Sequence, residues 1–138
     1  MHGAEKEIEK EIEKEIEKEI EKEIEETDGI MSDFGFQEMQ AIQKQLQEKY
    51  KDKWGGLSPK KGRDSLLWMM IEAGEVADVI KKQGDEKIVG DEQVRSHFIE
   101  ELCDVMMYLN DVMLCYSISP EELAETYREK HDRNMKRW

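Results

Sequence analysis

The sequence predicts an all-α protein: an oligomeric bundle of four helices with an extra charged helix at the N-terminus. Three observations predict it. Apolar residues recur at helical spacing in four successive segments of residues 31–138, no segment alternates with the period of a half-buried strand, and Gly- or Pro-bearing stretches separate the segments. At 138 residues the chain has room for one ordinary domain. The patterning divides it into a repetitive extension, residues 1–30, and an information-rich domain, residues 31–138.

In the extension a unit Glu-Lys-Glu-Ile recurs five times, from Glu5 to Ile24. As a strand, every odd position from Glu5 to Glu25 would place Glu on one face, and like charges would stack along it. As a helix, the isoleucines form a stripe that drifts by about 40° per step. Glu7 then meets Lys10 favourably, whereas Glu7 meets Glu11 and Lys6 meets Lys10 with like charge. A helix is therefore expected, carried by propensity rather than by charge design, and the regularity marks an engineered or low-complexity extension. It should run to about Glu26 and stop at a joint, Thr27-Asp28-Gly29.

The domain's first helix should be capped by Ser32 or Asp33 and carry Phe36, Met39, Ile42, Leu46 and Tyr50 on its apolar side. The stretch "KDKWGGLSPKKG", residues 51–62, reads as loop. A second helix runs from about Arg63 or Asp64 to Gln83, with Leu66, Leu67, Met70, Ala73, Val76, Ala77 and Ile80 as its inward candidates. Residues 84–92 read as another loop. A third helix, from about Glu92 to Tyr116, carries Phe98, Leu102, Val105, Met106, Leu109, Val112 and Met113. Ser119, Pro120 and Glu122 form a start signal for a fourth helix to about Asp132. The third helix is apolar around much of its circumference and must be covered on most sides. A homodimer or higher oligomer would do that.

Charge and composition exclude several function classes. The net charge is −13, of which −8 falls in residues 1–30 and −5 in the remainder, so no basic footprint for a nucleic-acid polymer is present. No apolar run approaches the roughly 20 residues that span a bilayer, and no signal-peptide apolar region is visible. Cys103 and Cys115 lie in one helix at a separation of about 18 Å, too far to bridge each other, and read as reduced, core-filling thiols of a cytoplasmic protein.

The chemistry lies in "IEAGEVADV", residues 71–79, and "EELCDVMMYL", residues 100–109. Glu72 and Glu75 share a face of the second helix, and Glu101 and Asp104 share a face of the third. One Glu-x-x-Glu occurs on many ordinary helix surfaces. Two such pairs among apolar neighbours place four carboxylates where isolated charge is costly. A hard divalent cation resolves that conflict. Mg²⁺ fits, because it takes a few carboxylates, keeps waters and accepts substrate phosphates. No His follows either glutamate at the offset of a di-iron centre. Near the C-terminus, Arg128, Lys130, Arg133, Lys136 and Arg137 either complement a helix macrodipole or meet phosphate oxygens. Trp54 and Trp68 are candidates to stack on a base and Gln45 to bond its edge, with core the favoured reading of Trp68. His97 and His131 have no partner at metal-ligand spacing.

From about residue 34 onward the chain resembles the MazG-like all-α nucleoside triphosphate pyrophosphohydrolases. The resemblance rests on Glu72-Ala73-Gly74-Glu75 followed by Glu101-Leu102-Cys103-Asp104, on "GEVADVI" and "EELCDVMMYL" around them, and on the closing "KHDRNMKRW". It implies hydrolysis of a nucleoside triphosphate, ribo or deoxy, between the α- and β-phosphates, clearing nucleotides from the pool. It further implies Mg²⁺ held by Glu72, Glu75, Glu101 and Asp104, and phosphate contacts from Lys130 and Asn134, with Arg137 a weaker addition. Glu72 or Glu75 would take the proton of the attacking water. Ile71 stands where the family often has a further glutamate, and the loop around Trp54 matches no one subgroup. Two other readings keep the same fold: a catalytically silent helical regulatory module, and an assembly scaffold in which the N-terminal helix is the working part.

Overall fold

The computed structural model describes residues 2–31 and 34–138. Among them are seven helices and no strand: α1 (His2–Met31), α2 (Phe36–Lys49), α3 (Lys51–Trp54), α4 (Pro59–Gln83), α5 (Asp85–Gly90), α6 (Glu92–Cys115) and α7 (Pro120–Met135). The all-α class is as the sequence predicts. The chain divides into two compact units, Met1–Gly35 and Phe36–Trp138, each described by itself.

The first unit is α1. Ile8, Ile12, Ile16 and Ile20 are all about half exposed, as expected of a drifting stripe. The expected joint at Thr27-Asp28-Gly29 does not end the helix, which continues to Met31. Threonine, aspartate and glycine are weak helix formers, but none removes a backbone donor or clashes as proline does. The cap expected at Ser32 or Asp33 lies outside the described residues.

In the second unit α4 and α6 form the central pair. α2 lies against α6, α7 against α2, and the short α5 bridges α4 and α6. Ser58 caps α4, its Oγ accepting from the Lys61 amide at 3.3 Å, and Pro59 occupies the first turn. The segment read as loop, residues 51–62, therefore holds a one-turn helix and the start of a longer one. Ser58-Pro59 carries the same signal as Ser119-Pro120, where Ser119 accepts from the Glu122 amide at 3.1 Å. Asp91 caps α6 by accepting from the amides of Gln93 and Val94. Gly84, at φ +83°, lets the chain leave α4 and enter α5 at once, so the expected loop at 84–92 is mostly helix.

The packed face of α4 is not its apolar stripe. Gly62, Ser65 and Val79 are buried, with Met69, Glu72 and Val76 half-buried along the same side. Of the predicted inward residues, Leu66, Leu67, Met70, Ala73, Ala77 and Ile80 are exposed, Met70 by 64% and Leu67 by 59%. On α6 the buried set is Asn110, Asp111, Met113 and Cys115, whereas Leu102, Met107 and Cys103 are exposed. Cys103 is thus not core-filling as expected; only Cys115 is.

The close approach of α4 to the end of α6 depends on Gly62. A Cβ there would lie 2.6 Å from Tyr116 Cε2 and 3.0 Å from Cys115 Cβ. Gly62→Ala is expected to destabilise the domain by about 1–3 kcal/mol, the usual cost of overpacking, despite alanine's better helix propensity. Urea denaturation checks this, and an unchanged midpoint would contradict the tight contact.

Candidate functional site

Glu72 on α4 and Glu101 and Asp104 on α6 converge across the central helix pair. One carboxylate oxygen from each lies within 4.8 Å of the other two, and all three residues are half-buried. Each is there for a local reason. Glu72 is on the packed side of α4, two turns after Ser65, and Glu101 and Asp104 are one turn apart on the side of α6 that faces it. The fourth predicted ligand, Glu75, is exposed and outside this trio, though near enough for its charge to act on Glu72. The Glu72 carboxyl is raised above the usual carboxylate range, first by desolvation and then by repulsion from Asp104, Glu101 and Glu75. His97 stands one turn before Glu101, with Nε2 3.6 Å from Oε1. The trio is a hard, anionic, all-oxygen donor set of the kind that Mg²⁺ takes.

Beside it opens a cavity of about 600 Å³, within the range of small-molecule sites. Asp104 belongs to both the trio and the cavity lining. Trp54, Trp68 and Tyr108 supply aromatic walls, and Leu46 and Met107 apolar ones. Trp68 is therefore a wall, 52% exposed, and not core; of its two readings the place fits the stacking one. Tyr108 connects the two regions electrostatically. Its phenol is pushed up by desolvation and by the charges of Glu72, Asp111 and Asp104.

The polar floor joins α2, α4 and α6. Gln43 and Gln47, four apart on α2, each donate from Nε2 to Asp111 Oδ1, at 2.9 and 3.0 Å. Lys61 Nζ donates to Gln47 Oε1 and to the Gly55 carbonyl. These residues carried no site expectation. A signal was present, because Gln43 and Gln47 share a helical face and Asp111 follows Asp104 by two turns, but only the approach of α2 to α6 unites them. Gln45, the predicted base contact, is exposed and lies outside the cavity lining, since two residues from Gln43 points it to another side of α2. Trp54 does line the cavity. Lys130, Asn134 and Arg137 are exposed at the end of α7 and are not among the lining residues, and Arg137 stacks over the Trp138 ring.

No family model, curated protein or solved structure matches this chain.

Burial raises the Asp111 carboxyl above its ordinary value, against the opposing pull of the Gln43 and Gln47 hydrogen bonds and the Lys61 charge. A carboxyl whose folded pKa is raised favours folding at low pH. That contribution is lost as pH climbs from the unfolded value, 3.8, through the raised folded one. Asp111→Asn keeps an oxygen for both glutamines and removes the charge. It should therefore raise the melting temperature at neutral pH, with the gain shrinking toward pH 4. Thermal melts across that range check the sign; a variant destabilised at neutral pH would contradict it.

Proposed function

We propose that the second unit is a Mg²⁺-dependent nucleotide pyrophosphohydrolase, cutting a nucleoside triphosphate between the α- and β-phosphates to a monophosphate and pyrophosphate. One observation carries the reading: Asp104 lies both in the carboxylate trio and in the wall of an aromatic cavity, so a base stacked in the cavity brings its phosphates toward the trio. The MazG-like resemblance of the Glu72–Glu75 and Glu101–Asp104 motifs supports it.

In this proposal Glu72, Glu101 and Asp104 hold Mg²⁺. When bound, the ion neutralises phosphate charge and makes water more acidic. Glu75, exposed one turn beyond Glu72, takes the proton of the attacking water. Trp54, Trp68 and Tyr108 hold the base by stacking. Lys130, Asn134 and Arg137 offer exposed donors to the triphosphate, where they stabilise charge on the leaving pyrophosphate. The chain works as a homodimer or dimer of dimers in the cytoplasm. The exposed Leu66, Leu67, Met70 and Ile71 of α4 support the assembly, and the two free cysteines support the compartment. No described helix is long and apolar enough to cross a membrane.

The test is a panel of ribo- and deoxynucleoside triphosphates with Mg²⁺, read as pyrophosphate release. Release from none of them by folded protein would defeat the reading in favour of a silent helical module. No residue of the trio or the cavity belongs to the first unit. Removal of residues 1–30 is accordingly expected to leave turnover within about twofold. A large loss in the same assay would make α1 a working part.

A further inference from the structure

The floor of the cavity holds donors and an acceptor that the phosphate chemistry does not use. Asp111 is only 4% exposed, yet it lines the cavity. Both hydrogen bonds to it end on Oδ1, and among the described residues none ends on Oδ2. A carboxylate is costly to bury. Here two amides and a nearby lysine support it, and one oxygen accepts from neither amide.

The amide orientations follow from the partners. Lys61 Nζ can only donate, so it takes Gln47 Oε1 and turns Gln47 Nε2 toward Asp111. Gln43 meets the same carboxylate and must also present Nε2. Gln43 and Gln47 are one helical turn apart and their nitrogens converge on Oδ1, and each nitrogen keeps a second N–H. The floor thus holds two amide donors and a carboxylate acceptor.

We propose that Gln43, Asp111 and Gln47 select nucleotides whose base carries an imide edge, uracil or thymine, a specificity that rests on the nucleotide reading above. The imide edge reads acceptor, donor, acceptor: O4, N3–H and O2. Its two acceptors and one donor complement the floor's two donors and one acceptor. Cytosine sets the N3 lone pair against Asp111, and adenine does the same with N1. Guanine presents an amine where the floor has an amide donor. Each mismatch leaves a buried polar group unpaired, the situation in which hydrogen-bonding sites discriminate most strongly. The aromatic walls stack on any base, so choice among bases falls to the floor.

The experiment compares kcat/KM for dUTP, dTTP and dCTP with Mg²⁺, together with 3-methyl-dUTP, whose N3 has no proton. The imide nucleotides are expected to exceed dCTP by about a hundredfold, the discrimination of a good bidentate pair, and the 3-methyl group to cost a similar factor. Asp111→Asn turns the acceptor into a donor and should narrow or reverse the preference for dUTP over dCTP. Titration calorimetry of dUMP and dCMP against the unmutated protein reads the same selectivity without turnover. It separates the floor's role from the hydrolytic one: selective dUMP binding without pyrophosphate release would sink the hydrolase and keep the floor. Equal kcat/KM for dUTP and dCTP, equal binding of the two monophosphates, or a silent 3-methyl group would overturn the proposal while hydrolysis stands.

Discussion

Asp104→Asn is expected to abolish Mg²⁺-dependent turnover, lowering kcat by about a thousandfold, because the several kcal/mol of charge stabilisation that a bound divalent ion supplies would be lost. Glu101→Gln should do the same. These losses need not involve unfolding. Asp104 and Glu101 both contribute to the repulsion that raises the Glu72 carboxyl. Removing either charge relieves crowding in the metal-free protein. The variants should therefore melt no lower than the unmutated chain without Mg²⁺, and should lose any rise in melting temperature that Mg²⁺ gives the parent. Steady-state pyrophosphate release and paired melts with and without Mg²⁺ measure both effects. A variant that keeps turnover would remove its residue from the metal site. A variant that melts well below the parent without metal would give the residue a structural role instead.

The second large effect is on assembly. Leu67→Glu combined with Met70→Glu places two charges on the exposed apolar stripe of α4. If that stripe is a self-association surface, burial of charge without partners there costs several kcal/mol. Light scattering should then show the parent as a multiple of the 16.3 kDa chain and the double variant as a single chain. The cavity and trio do not include Leu67 or Met70, so circular dichroism should remain helical. A parent already monomeric at micromolar concentration would contradict the assembly.

Periodicity made the four long helices of the second unit legible, and proline with its preceding serine located the start of α7. The same pair at Ser58-Pro59 shows that α4 begins a turn earlier than the glycines of the preceding stretch suggest. The face of α4 was not legible from hydropathy. The rule that apolar residues point inward presumes that the partner surface lies within the chain, whereas Leu67 and Met70 are exposed, Ser65 is buried and Glu72 meets the carboxylates of α6.

Sequence motifs did bring Glu72, Glu101 and Asp104 into one expectation, and the structure sets those three together. Glu75 is exposed and outside the trio, although it follows Glu72 at the same spacing as Asp104 follows Glu101. The floor was beyond local reading. Gln43 and Asp111 are 68 positions apart, and nothing in either segment announces the hydrogen bond that joins them.

The most direct test of the central claim is the regiochemistry of hydrolysis, followed by ³¹P NMR in ¹⁸O-labelled water with Mg²⁺ present. The account predicts nucleoside monophosphate and pyrophosphate in equal amounts, with the label in the monophosphate, and no such products from Asp104→Asn. Nucleoside diphosphate with orthophosphate, or the same products from Asp104→Asn at the parent's rate, would contradict it.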